Sequence, residues 1–180
     1  SLISTAQRLS IVDKLNWDSN FFKINIARLN RSKINENLMN FVIDHCQKTN
    51  IKCLYFTADN NHPLNVQIAE KYNLAVIEDA CQSILGAIDG KNGGTWGDAG
   101  AFSLHPLKNL NVWGDGGFVV IKKKKHFKKM MLLRNHGLEG RNRNLLFGYN
   151  SRLDTLQACV ANHLLKKIKL ITNTRIKNAI

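Results

Sequence analysis

The feature that most constrains this chain is a short apolar run without alternation, Leu74-Ala75-Val76-Ile77, that ends on two acids, Glu78-Asp79. A strand with one wet face alternates apolar and polar residues. A continuous run suits a strand buried on both faces of a parallel sheet. The run is therefore an α/β signal. Ligands of such sheets collect at the carboxyl ends of the strands, which is where Asp79 falls.

The rest of the chain fits around that strand. Residues 51–57, 99–104 and 117–121 are short β-prone runs. Lys108 then lies on a loop beside the strand ends. Helical spacing of apolar residues predicts helices over 38–47 (Leu38, Phe41, Val42, Cys46) and over 64–72 (Val66, Ile68, Ala69), the second after a turn at Asn60-Asn61-His62-Pro63. Another helix is expected over 125–135, with Phe127, Met130, Met131 and Leu133 partly on one face and Gly137 as its stop. Ser151 and Asp154 have the layout of a capping box, followed by Leu153, Leu156, Val160, Leu164 and Ile168 at helical spacing. There is no internal repeat and no low-complexity linker.

The chain of 180 residues has room for one domain with a sizeable core. Its formal charge is +13, from 26 Lys and Arg against 13 Asp and Glu, and the excess gathers at Lys122 to Lys125, Lys128, Lys129 and beyond. Such a surface either attracts an anionic partner or is simply solvated. Few aromatic residues interleave with it, which disfavours a platform for single-stranded nucleic acid. No apolar stretch approaches a membrane span, and no signal layout opens the chain. The four cysteines Cys46, Cys53, Cys81 and Cys159 lack CxxC spacing. Even with His45 and His62 they match no standard zinc pattern, so buried free thiols, no metal and a cytoplasmic location are expected. The missing initiator Met and the helix-like end at Ile180 predict a fragment.

A strand-end Asp followed by a Ser and a Lys is the set an enzyme needs to hold pyridoxal phosphate (PLP): Asp79 for the pyridinium nitrogen, Ser103 for the phosphate, Lys108 for the Schiff base. Each has a plainer reading as well. Asp79 could cap a helix, Ser103 could merely end a strand, and Lys108 could be one more surface lysine.

Five motifs in order narrow the choice. They are Ile77-Glu78-Asp79-Ala80-Cys81-Gln82-Ser83, Phe102-Ser103-Leu104-His105-Pro106-Leu107-Lys108-Asn109, Gly114-Asp115-Gly116-Gly117, Leu133-Arg134-Asn135-His136-Gly137 and Gly148-Tyr149-Asn150-Ser151-Arg152-Leu153-Asp154. From about Ile68 onward the chain resembles the DegT/StrS sugar aminotransferases. The resemblance implies part of the large PLP-binding domain of the aspartate-aminotransferase (type I) fold. It implies a nucleotide-linked keto sugar as substrate, an amino acid as amine donor and a homodimer. It also implies that Gln82 bonds the phenolic oxygen of the cofactor and that Asn150 reaches the phosphate held by a neighbouring subunit. Related dehydratases carry His at the Schiff-base position, so Lys108 argues for transamination. His105 and His136 remain unassigned.

Residues 11–70 resemble, more weakly, the first half of sugar N-acetyltransferases of the GNAT type. The likeness rests on Leu15-Asn16-Trp17-Asp18-Ser19-Asn20-Phe21-Phe22 and Cys53-Leu54-Tyr55-Phe56-Thr57-Ala58-Asp59-Asn60. The chain is thus expected to be a partial acetyltransferase-like α/β segment over 1–70 and a partial aminotransferase large domain over 71–180. The first part lacks the glycine-rich turn that holds acetyl-CoA. The second lacks the family's stacking aromatic, one phosphate turn and a closing C-terminal domain. Weak PLP binding and no measurable amino transfer by these residues alone follow from that expectation. The alternatives are a non-catalytic α/β protein binding an anionic partner and a remnant of a sugar N-acetyltransferase.

Overall fold

The computed structural model describes residues 53–57 and 62–179, together with Asp44 and Lys48. Asp44 and Lys48 are helical and pair at 2.7 Å, one turn apart. The rest of the helix expected over 38–47, and most of the segment expected to resemble an acetyltransferase, lie outside the described residues.

Four strands form one sheet in the order β1 (Cys53–Thr57), β2 (Ala75–Asp79), β5 (Ala99–Ser103) and β6 (Gly117–Ile121). The first three are parallel and β6 runs antiparallel to β5. The short pairs β3 (Ala87–Ile88) with β4 (Lys91–Asn92), and β7 (Leu138–Glu139) with β8 (Arg143–Asn144), are separate antiparallel ribbons. Helix α1 (His62–Lys71) makes the crossover from β1 to β2. It takes Pro63 in its first turn, where a missing N–H costs nothing. It closes by a Leu74 N–H to Ala69 carbonyl bond of 2.8 Å, with Asn73 in the left-handed region at φ 55°. Thus β1 and α1, on the N-terminal side of residue 71, hydrogen-bond and pack into the same sheet as Asp79.

The burial of β2 is less even than its sequence predicts. Val76 and Glu78 are buried, whereas Ile77 and Asp79 are half-buried. The loop over residues 93–97 covers the first pair. The fully buried Glu78 carboxylate accepts the N–H of Gly94 at 2.8 Å and of Gly97 at 2.7 Å. That loop lies so close to β5 that a Cβ on Gly100 would run into the Gly94 carbonyl.

Helix α2 (Lys124–Leu133) ends through a bond from Gly137 N–H to the Leu132 carbonyl, 2.8 Å. Its reversal begins one residue before the expected glycine, at His136 with φ 56°, and continues through Gly137 at φ 74°. The expected capping box does not form. The Ser151 N–H instead donates to the Arg134 carbonyl, next to the Asn135–Asn150 bridge. The helix starts later, as α3 (Thr155–Leu165) with Asp154 at its N-cap, and breaks before α4 (Ile168–Lys177). Ile168 joins Leu104, Leu110 and Val112 in a buried cluster that Ile84, Leu153, Ala161 and Leu164 flank.

Candidate active site

The parallel register brings Asp79 opposite Ala101, so the ends of β2 and β5 lie at one edge of the sheet, with Ser103 two residues further along β5. The chain leaves that edge in a tight loop. The Val112 N–H donates to the Leu104 carbonyl at 2.9 Å, which closes the base of the loop over buried Leu104, Leu110 and Val112. Lys108, half-buried, sits inside it.

His105 has a structural part here. Its Nδ1 accepts the Leu107 N–H at 3.2 Å, its carbonyl accepts the Lys108 N–H at 2.9 Å, and its own N–H donates to Ser103 Oγ at 3.2 Å. The last bond matters for Ser103. It occupies an acceptor position of the hydroxyl and leaves the single hydroxyl hydrogen available.

A pocket of about 260 Å³ opens at this edge, lined by Ser103, Lys108, Gln82, Cys81, Asn109 and Arg175 among others. That is a little under the roughly 300 Å³ usual for drug-sized ligands, a scale that suits a small cofactor. Asp79 borders it. Its Oδ1 accepts the Cys81 N–H at 3.1 Å in a local turn, with no helix following, so the helix-cap reading of Asp79 does not hold. The Cys81 thiol reports on its surroundings. It is pushed up to about 11, first by burial and then by a hydrogen bond to and the charge of Asp79, with Lys108 pulling the other way. Asp79 and Lys108 therefore act on one thiol and belong to one neighbourhood.

Of the five residues predicted from sequence, Gln82, Ser103 and Lys108 line the pocket and Asp79 adjoins it, while Asn150 is not among its lining. Gln82 is exposed, on a turn rather than in a helix. Asn150 is tied elsewhere: Arg152 donates to its Oδ1 at 3.2 Å and to Asn135 Oδ1 at 3.1 Å. Neither Trp96 nor Trp113 lines the pocket; the aromatic residue there is Phe102, stacked on Phe118 at 4.6 Å. Nothing in the sequence pointed to Arg175. It stands 66 and 68 residues along the chain from the groups it bonds, so no local pattern could connect them. Among the described residues no group of His, Cys, Asp and Glu could hold a metal ion, and no helix is long and apolar enough to cross a membrane.

A mostly parallel sheet with an acid, a hydroxyl and a lysine gathered at its carboxyl edge is the layout of an α/β enzyme domain. Residues 63–180 match the DegT/DnrJ/EryC1/StrS aminotransferase family, and the chain belongs to it. It is 45% identical over 93 residues to the UDP-N-acetyl-3-dehydro-alpha-D-glucosamine 3-aminotransferase of Acidithiobacillus ferrooxidans, covering 52% of this chain and 25% of that protein. Its fold matches a DegT DnrJ EryC1 StrS aminotransferase from Brucella abortus with a TM-score of 0.69 and 30% identity, over 74% of this chain and 38% of the other. It also matches NtdA of Bacillus subtilis, solved with bound cofactor PMP, with a TM-score of 0.61 and 32% identity over 67% and 28% of the two chains. The chain thus spans well under half the length of these relatives. The matched region begins before Ile68, the start expected from sequence, and takes in nearly all of α1.

Proposed function

We propose that this chain carries the PLP site of an aminotransferase that acts on a nucleotide-linked keto sugar and takes its amine from an amino acid such as glutamate. The observation that carries this reading is the gathering of Asp79, Ser103 and Lys108 at one sheet edge around one small pocket. The pocket's chemistry fits the cofactor. Ser103, Gln82 and Arg175 provide hydrogen-bond donors for a phosphate and a phenolic oxygen, and Asp79 provides the carboxylate for a ring nitrogen. The choice of substrate rests on the names of relatives such as the Acidithiobacillus enzyme.

When bound, PLP supplies an aldehyde that takes up amines and a ring that accepts electrons. Lys108 would hold the cofactor covalently and, once displaced by a substrate amine, carry the proton between substrate and cofactor. Asp79 would keep a proton on the ring nitrogen. The Ser103 hydroxyl would donate to the phosphate, and Gln82 would orient the ring through its phenolic oxygen. Asn150 would serve the pocket of a second copy in a homodimer, and the enzyme would work in the cytoplasm.

The test is reduction with borohydride in the presence of PLP, followed by peptide mapping. The pyridoxyl group is expected on Lys108 and is expected to disappear in K108A. A label on other lysines with Lys108 bare would sink the assignment.

A further inference from the structure

The backbone around Lys108 is fixed by its neighbours on every side. The Lys108 carbonyl accepts Asn111 Nδ2 at 3.1 Å, in addition to the bond from the Lys108 N–H to His105. The two flanking residues are tied to α4. Arg175 Nη1 donates to the Leu107 carbonyl at 3.0 Å and to Asn109 Oδ1 at 3.1 Å. Asn109 Nδ2 donates in turn to Thr172 Oγ1 at 3.2 Å. Both ends of the Asn109 amide are thus used, and by the same helix.

That helix is well placed to act as a fixed support. Ile168, Thr172 and Arg175 follow i, i+4, i+7 spacing and share one face. Ile168 is buried against Leu104, Leu110 and Val112, the residues that bracket the lysine loop. Arg175 is a planar, donor-only fork, so it holds two acceptors in a set geometry. It also lines the pocket beside Lys108.

We propose that α4, through Arg175 and Thr172, is the clamp that positions the Lys108 amine in the pocket. The inference rests on the cofactor reading above and assigns Arg175 and Thr172 as positioning residues. Placement of the amine matters because reacting groups misplaced by about 1 Å can lose on the order of 100-fold in rate. The clamp joins two stretches far apart in sequence, so it forms only once α4 has docked on the core.

The test labels the lysines of the 180-residue chain in two ways. One is acetylation by N-hydroxysuccinimidyl acetate without cofactor. The other is borohydride trapping with PLP. Both are read by peptide mass spectrometry at Lys108 relative to Lys128, which is exposed on α2. In R175Q and in T172V the acetylation of Lys108 is expected to rise roughly fivefold as the loop comes free, and PLP trapping there to fall by a similar factor, the scale of a lost hydrogen bond. R175K keeps a donor and is expected to recover part of both. T172V is close to isosteric and removes only the bond to Asn109, so it reads the clamp even if R175Q does not fold. Wild-type labelling of Lys108 by both reagents in a folded variant overturns the proposal. An equal rise at Lys128 reports general loosening and also counts against it. A wild-type chain with no PLP adduct on Lys108 sinks the cofactor reading alone, because the acetylation ratio still decides the clamp.

Discussion

Cys81 and Cys159 offer a contrast within one chain. Cys159 is exposed on α3, against the burial expected of the thiols, whereas Cys81 is half-buried, donates to the Ala101 carbonyl at 3.6 Å and faces the charge of Asp79. With its thiol at about 11, only roughly one Cys81 in a thousand is thiolate at pH 8, and the thiolate is the reactive form. Iodoacetamide at that pH is expected to label Cys159 and to leave Cys81 nearly untouched. Labelling of Cys81 should climb as the pH approaches 11. The linkage has the same sign. A folded value above the unfolded one means that Cys81 contributes its full share of stability below about pH 9 and loses it as the pH rises toward 11. Equal labelling of the two cysteines at pH 8 would contradict the placement of Cys81 beside Asp79. At this scale the sequence was informative where chemistry is local. Asp79, Ser103 and Lys108 could be read because each sits at a strand end or a few residues beyond it. Cys81, a bystander in the same motif, is recognisable only from its neighbours in space. Arg175 is hidden for the same reason, since its partners Leu107 and Asn109 are distant in sequence.

The strands were legible because apolar runs and glycines bound them closely, and β6 begins and ends where the sequence predicts. Helix ends were less so. Ser151 has the right spacing for a capping box, but its N–H is already committed to the Arg134 carbonyl, and tertiary pairing overrides the local signal. Glu78 escaped altogether. An acid in a strand reads as exposed, yet this one is fully buried and organises the 93–97 loop through two backbone N–H groups. E78Q keeps the shape but replaces one acceptor oxygen with a donor that faces another donor. It is expected to cost about 2 kcal/mol in chemical denaturation, the scale for a buried group left unsatisfied. A change within a few tenths would mean that the loop is held by other contacts. Asp98 ties elements together at the opposite end of β2. Burial acts to raise its carboxyl, but the Val76 N–H at 3.1 Å and the Lys123 ammonium at 3.2 Å, with Lys122 further off, outweigh it and hold the group below its ordinary value. A lowered folded value gives stability that is present above about pH 4 and lost as the pH falls through the folded value. D98N is therefore expected to destabilise the fold at neutral pH and to differ little from wild type in acid. Parallel melting curves for D98N and wild type at all pH values would rule this out.

Across the whole molecule, the apolar surface is unevenly covered. Phe118, Val119 and Val120 of β6 and Phe127, Met130 and Met131 of α2 are exposed, and α2 buries no residue at all. Its apolar spacing was legible in the sequence, but spacing identifies a face without saying what that face meets. Asn150 poses a similar question with a sharper answer. Arginine only donates, so the contact with Arg152 turns the Asn150 oxygen toward the guanidinium and its NH2 end away. Asn150 is exposed and lies outside the lining of its own pocket, and its amide still carries N–H donors. If these donors complete a phosphate site in a second copy, PLP trapping at Lys108 should depend on chain concentration, rising as pairs form. N150D keeps an acceptor for Arg152 but presents another oxygen, rather than N–H donors, to the anion. It is expected to weaken PLP binding roughly tenfold, the scale of a charge-assisted hydrogen bond replaced by a repulsion, and to remove the concentration dependence. If that second copy completes the site, amino transfer to a nucleotide-linked keto sugar should stay below detection in dilute chain, because such chemistry depends on placement. The decisive measurement is a dilution series that follows borohydride trapping at Lys108 alongside sedimentation. Trapping that stays constant while the chain remains a monomer throughout would remove Asn150 from any partner's site and leave the phosphate to Ser103 and its neighbours alone.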